Sequence, residues 1–264
     1  MLNLNLNTTS SGRGAGGGPT PWAGPLAVAQ KFVAFYSADY SSELIDLSGN
    51  GTTASFLTGG SGGSSSHTHN GSSTAPAWEF RTADNAVQQD YIRINAANPG
   101  SIDAGDYYGM FMIWKNNESS DGTQLMNWTG ADVPNSDMNL FKNRLNQEMY
   151  GRNRETGNQI LTTSGNAIGT TNFNMWSYIR NSSYDNALYE KATFDANTSG
   201  VRSFDITGAT LNVGNAGANA NQSNSFDLAA FGWFFDPTSA TEITATDLNA
   251  LLTYYADNFS YPGI

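Results

Sequence analysis

The chain has 264 residues, a net charge of −11 and no cysteine. That charge excludes partners that need a basic face, namely a nucleic-acid backbone or an anionic membrane surface. The missing thiols exclude disulfides and thiolate metal centres.

Only 13% of the residues are charged, so polarity is carried by Gly, Ser, Thr and 30 Asn, short residues that suit turns. Hydrophobic residues make up 39% and aromatics 12%, enough for one large sandwich core and at odds with a helical bundle.

Residues 1–28 read as a flexible arm. Met1–Asn7 has neither a basic nor a continuous apolar region, so it is not expected to be a signal peptide. Leu2, Leu4 and Leu6 alternate, a pattern able to add a strand to a neighbouring subunit, which makes them the candidate assembly residues. Ser10–Gly18 is a linker by composition, and Pro19, Pro21 and Pro25 favour an extended path into a domain spanning 29–264. No stretch is long and apolar enough to suggest membrane insertion.

Strands are predicted at Phe32–Tyr36 and Leu44–Leu47, the second closed by a turn at Ser48-Gly49-Asn50-Gly51. Residues 58–75 read as a Gly/Ser/Thr loop carrying His67 and His69, the only two histidines. Ala77–Phe80 and Tyr91–Ile94 follow as strands. Tyr107–Trp114 is a continuous apolar run without helical spacing, hence a central buried strand. Leu125–Trp128, Asn139–Phe141, Gln147–Tyr150 and Gln159–Thr162 form a predicted meander. In Met175–Arg180 an aromatic face alternates with Ser and Arg. Asn186–Glu190, Thr210–Gly214 and Phe226–Phe235 complete the strands. One helix is predicted, with Thr244 as N-cap, Asp247 completing a capping box, and Leu248, Leu251, Leu252 and Tyr255 along one apolar face.

The order of these pieces resembles the LamG-like branch of the concanavalin A-like lectin/glucanase superfamily. The turn Asp46-Leu47-Ser48-Gly49-Asn50-Gly51, the pair Trp78-Glu79-Phe80 and Tyr91-Ile92-Arg93-Ile94, the strand Gly109–Lys115, Trp176–Arg180, and Phe226–Phe231 followed by the helix carry the resemblance, over about residues 29–258. It implies an all-β, concanavalin A-like jelly-roll sandwich of two antiparallel sheets with one short C-terminal helix. It also implies a possible Ca²⁺ site of oxygen donors, for which Asp46 and Asn50 are the candidates. Asp46 acting only as a turn brace is the competing reading. Ala229-Ala230 stands where the family carries an acidic residue, which counts against that metal.

Glucanases of the superfamily cleave glycosides with carboxylates on alternate positions of one strand, where period two puts them on one face. No such array occurs, so no catalytic residues are assigned and the chain is expected not to be an enzyme. Sugar binding needs exposed rings for the apolar sugar face. Most Trp residues sit in predicted core strands. Trp128 and Tyr150 lie in less regular segments and are the candidate platform, with Asn127, Asp132 and Asn153 as partners for sugar hydroxyls.

Taken together, the sequence leads us to expect a bacteriophage virion surface protein: a homo-oligomer that decorates the capsid or sits on the head or tail, contacts the major capsid protein through its arm, and holds a host surface glycan weakly. The alternative is a secreted or receptor-binding carbohydrate-binding module.

Overall fold

The computed structural model describes residues 21–57, 66–71, 74–81, 90–117, 123–129, 137–142, 148–155, 158–200, 203–214 and 225–264. In chain order the elements are α1 (Leu26–Ala29), β1 (Ala34–Ser37), β2 (Ala54–Leu57), β3 (Ser66–Asn70), β4 (Ala77–Arg81), β5 (Tyr91–Ile94), β6 (Ser101–Ile102), β7 (Tyr107–Asn116), β8 (Thr123–Thr129), β9 (Asp137–Lys142), β10 (Glu148–Glu155), β11 (Asn158–Ala167), β12 (Phe173–Arg180), β13 (Ala187–Glu190), β14 (Thr193–Asn197), β15 (Phe204–Asp205), β16 (Thr210–Val213), β17 (Phe226–Asp236) and α2 (Ala245–Asn258). Two antiparallel sheets pack face to face. The eight-stranded sheet runs β14-β13-β12-β7-β17-β4-β3, with β1 also paired to β17. The seven-stranded sheet runs β11-β10-β9-β8-β16-β5-β2.

This is the expected sandwich with a C-terminal helix. Met110, Met112 and Trp114 of β7 face the core between the sheets, together with Trp128, Trp176 and Trp233. Phe111 and Ile113, the alternate residues, face a second apolar layer made by Phe32, Phe35, Leu248, Leu251 and Tyr255. A strand covered on both faces has no polar period, which is why β7 reads as one apolar run.

The helix begins as its residues require. The Thr244 hydroxyl accepts from the Asp247 amide at 3.2 Å, and the Asp247 carboxylate accepts from the Thr244 amide at 2.9 Å. Lys31 adds an ion pair to Asp247 at 2.8 Å.

Several expectations change. The polar face predicted for β12 does not form: Ser177, at 0% exposure, lies on the side of Met175 and Ile179 under the second layer, while Arg180, at 3%, lies on the opposite side against the Tyr108 ring. Leu44–Leu47 is not a strand: the Leu47 amide donates to Phe35 O at 2.7 Å while Asp46 braces the bend. His67 and His69 lie on β3, paired in register with Phe80 and Trp78, and not in a loop. Trp22, assigned to the arm, is buried and its indole N–H donates to Asp39 at 3.0 Å. The candidate assembly residues Leu2, Leu4 and Leu6 lie outside the described residues.

Candidate functional site: an aromatic patch on the β13–β14 hairpin

The residues predicted to hold sugar do not form a surface. Trp128 is 1% exposed and meets Trp233 edge to face at 5.5 Å, because strand alternation turns it inward. Asn127, its outward neighbour, is buried as well. Tyr150 is buried, its hydroxyl 3.2 Å from Glu148. Asn153 lies in the interior and donates to Asn186 Oδ1 at 3.0 Å. Asp132 lies outside the described residues.

Nor do Asp46 and Asn50 form an open cation site. The Asp46 carboxylate accepts from the amides of Phe35, Ser48 and Thr52 at 3.1, 2.9 and 2.9 Å, and from the Ser48 hydroxyl at 2.8 Å. Four donors occupy both oxygens, so Asp46 braces a turn in which Gly49 and Gly51 take left-handed φ values of 83° and 70°. Asn50 donates its amide to Phe32 O at 2.9 Å, pinning the same turn to the chain entering β1.

Among the described residues, one aromatic that the sequence reading passed over is exposed. Phe194, on edge strand β14, is 41% exposed. One face of its ring is covered by Tyr184, with centroids 4.5 Å apart and planes at 20°. Tyr189 meets it edge-on, at 6.1 Å and 85°.

Local chemistry fixes these rings. Asn181 follows β12, and its side-chain oxygen accepts from the Ser183 and Tyr184 amides at 3.0 and 3.1 Å, closing an Asx turn that presents Tyr184. The Asn181 amide group donates to Ile243 O at 3.0 Å, and the Ser182 amide donates to Glu242 at 2.9 Å, so the turn is tied to the segment leading into α2. Lys191 takes φ 57° at the hairpin tip, letting Glu190 pair with Thr193. A bulge between Leu188 and Tyr189 shifts the register. Burial raises the Tyr189 phenol above its ordinary value, which keeps it a neutral hydrogen-bonding group at physiological pH.

Beneath the patch lies a polar hub. Asn186 Oδ1 accepts from the hydroxyls of Tyr108 and Tyr178 at 2.6 and 3.2 Å, while its amide group donates to Thr198 O and Gly200 O at 3.1 and 2.9 Å. The Thr162 hydroxyl donates to Asn186 O at 2.9 Å. Arg180 donates to Asp185 O and Asp103 O, each at 3.0 Å, with its guanidinium 4.8 Å from the Tyr108 ring centre. Gly151 makes room for this, since a Cβ there would run into the Tyr178 ring. The hub joins strands of both sheets to the two chain segments at the base of the hairpin, which anchors it there.

No protein-family model matches the sequence, and no curated protein matches it. Solved structures do match. The fold is similar to that of clostridial toxin binding domains. The binding domain of Paraclostridial Mosquitocidal Protein 1 superposes with a TM-score of 0.64 at 12% identity, over 86% of this chain and 53% of that one. The botulinum neurotoxin serotype G binding domain gives 0.60 at 10% identity, over 85% and 51%. The serotype D ligand-binding domain, solved in complex with N-acetylneuraminic acid, gives 0.57 at 13% identity, over 89% and 55%. The chain thus spans about half the length of each of these domains.

The carboxylates brought opposite one another on central strands are Glu79 and Asp227, in register between β4 and β17. Arg81 pairs with both, at 3.0 and 2.6 Å, and Lys115 pairs with Asp227 at 3.0 Å. The sequence reading passed over Asp227, since it sought acids on a single strand. Arg81 thus bridges the two carboxylates, and Lys115 adds a second cation to Asp227, as in a cross-strand brace.

Proposed function

We propose that this chain is a non-catalytic recognition module that holds a glycan against the exposed part of the Phe194 ring. The observation that carries this reading is the exposed ring itself, fixed against Tyr184 and Tyr189. A pyranose presents an apolar face of polarised C–H groups, which suits the negative face of an aromatic ring. Ser182 and Ser183, both exposed, precede Tyr184 on the Asx turn and would offer hydroxyls to the sugar. Two further points support a binding role. The similar solved domains are described as binding domains, one of them in complex with N-acetylneuraminic acid. The paired carboxylates Glu79 and Asp227 are held by cations. A glycan array probed with the full chain, followed by calorimetry on any hit, tests this. Binding should fall at least about tenfold in Phe194→Ala. A blank array, or affinity unchanged by that substitution, would refute it.

Display on a virion is a second, finer reading. It is supported by the acidic, cysteine-free composition and by the Gly- and Pro-rich stretch that joins Leu2, Leu4 and Leu6 to the sandwich. In that setting the partners would be the major capsid protein and further copies of this chain. Mass spectrometry of purified particles tests it; a protein absent from particles removes it.

A further inference from the structure

We infer that Asn70 is a site of covalent modification, deamidating spontaneously to aspartate and isoaspartate, and that the fold protects the other Asn-Gly step of the chain. The inference stands apart from the glycan reading above.

The sequence holds two Asn-Gly steps, Asn50-Gly51 and Asn70-Gly71. Asparagine before glycine is chemically labile, because glycine has no Cβ to keep its backbone nitrogen away from the preceding side chain. That nitrogen, losing its proton to hydroxide or a buffer base, attacks the Asn Cγ. The bond from Cγ to the amide nitrogen breaks, ammonia leaves, and a cyclic succinimide forms. Water then opens one or other carbonyl, which gives aspartate or isoaspartate. The net exchange is water in and ammonia out, with no change of oxidation state.

Both steps reach solvent. What separates them is the hold on the carboxamide. That of Asn50 donates to Phe32 O at 2.9 Å, Val33 O at 3.3 Å and Ser48 Oγ at 3.2 Å. The residues flanking this step are pinned as well, since the Ser48 hydroxyl and the Thr52 amide donate to Asp46 at 2.8 and 2.9 Å. Cyclisation must swing Cγ towards the Gly51 nitrogen, which breaks the Asn50 bonds and works against a braced turn. Asn70 is the final residue of β3, the last strand of the eight-stranded sheet among the described residues. Its carboxamide donates to Glu79 Oε1 at 3.1 Å on the exposed surface, where water competes for the bond. Gly71 lies past the strand end and outside the left-handed region. A Cβ there would meet the His69 ring at an ordinary 3.6 Å, so the structure accommodates Gly71→Ala.

The change would fall on a charged site. Asn70 pairs with Ala77, which makes Glu79 its diagonal neighbour across the two strands. Glu79 pairs with Arg81 at 3.0 Å, and Arg81 with Asp227 at 2.6 Å. Deamidation replaces a donor onto Glu79 by a carboxylate, adding a third acid to a cluster served by Arg81 and Lys115. Isoaspartate also lengthens the backbone next to His69, whose Nε2 lies 2.9 Å from Ala38 O. Both products loosen the end of β3.

The test ages the full folded chain in warm, mildly alkaline buffer and follows each step by peptide mapping and mass spectrometry. The amide-to-acid mass increment should build up at Asn70, and at least about tenfold more slowly at Asn50, the difference expected from breaking its additional bonds. In urea, where the fold no longer holds Asn50, the two steps should convert at similar rates. Gly71→Ala should slow conversion at Asn70 in the folded chain. The aged protein should unfold at lower urea than fresh protein, and Asn70→Asp should reproduce the part of that shift due to charge. Conversion at Asn50 as fast as at Asn70 in the folded chain overturns the inference. So does an Asn70 that stays intact while the unfolded chain converts, or one whose conversion Gly71→Ala leaves unchanged.

Discussion

The two ends of the β13–β14 hairpin are built on opposite principles. At its base Asn186 is fully buried, and its carboxamide and backbone bond partners on β7, β11 and β12 and the 198–200 segment. Towards its tip Phe194 is 41% exposed and held by ring contacts. A polar group in a low-dielectric interior must satisfy every donor and acceptor, so the base is intolerant of change. A ring that keeps 41% of its surface exposed tolerates change far better. The difference teaches that the stability of this region and its proposed recognition reside in separate residues of one element.

That separation can be broken experimentally. The largest effect is expected for Asn186→Ala, which strands the buried tyrosine hydroxyls and two carbonyls and should cost about 3 kcal/mol in urea unfolding. Tyr108→Phe removes one hydroxyl from the hub and should cost about 1.5 kcal/mol. A loss below a few tenths of a kcal/mol in both variants would show that the hub is not the base of the hairpin. Thr244→Ala deletes the cap of α2 behind the segment that braces the Asn181 turn, and should cost about 1 kcal/mol by the same measurement. Phe194→Ala should change stability by only about 0.5 kcal/mol while removing glycan binding, which is the sharpest form of the contrast. A large loss of stability there would make the ring structural.

The smallest effect concerns Asp195, next to Phe194. Burial first, and the charge of Glu190 second, raise its carboxyl above the ordinary value. The folded state therefore binds this proton more readily than the unfolded state. The associated stability is fully present below the ordinary carboxylate range and is lost as pH rises through the raised value. Asp195→Asn should accordingly raise the urea midpoint near neutral pH, by an amount worth a few tenths of a kcal/mol, and leave it unchanged at about pH 3.

Much of the fold was legible because period is a local property. The helix from Thr244, the central strand β7 and the meander from β8 to β11 follow from residue spacing and capping chemistry alone. Short or polar strands were not legible. β3 reads Ser-His-Thr-His-Asn, which resembles a loop until pairing with β4 places His67 against Phe56 at 4.3 Å and its Nδ1 2.8 Å from Asp90. Leu44–Leu47 has strand composition, yet the four donors onto Asp46 bend it into a turn. The candidate site failed for a related reason. Exposure was inferred from how irregular a segment looked, which favoured Trp128, whereas Phe194 lies in a five-residue strand, Thr-Phe-Asp-Ala-Asn, with little apolar signal.

The sequence by itself determined that this chain is an all-β sandwich closed by one capped helix, because apolar period and cap residues act within a few positions of each other. Only the tertiary structure decided which aromatic rings are buried and which reach solvent. Exposure depends on what the second sheet and the helix layer cover, and that cover comes from residues up to 200 positions away, as when the Lys31 ammonium meets Asp247 with 216 residues between them.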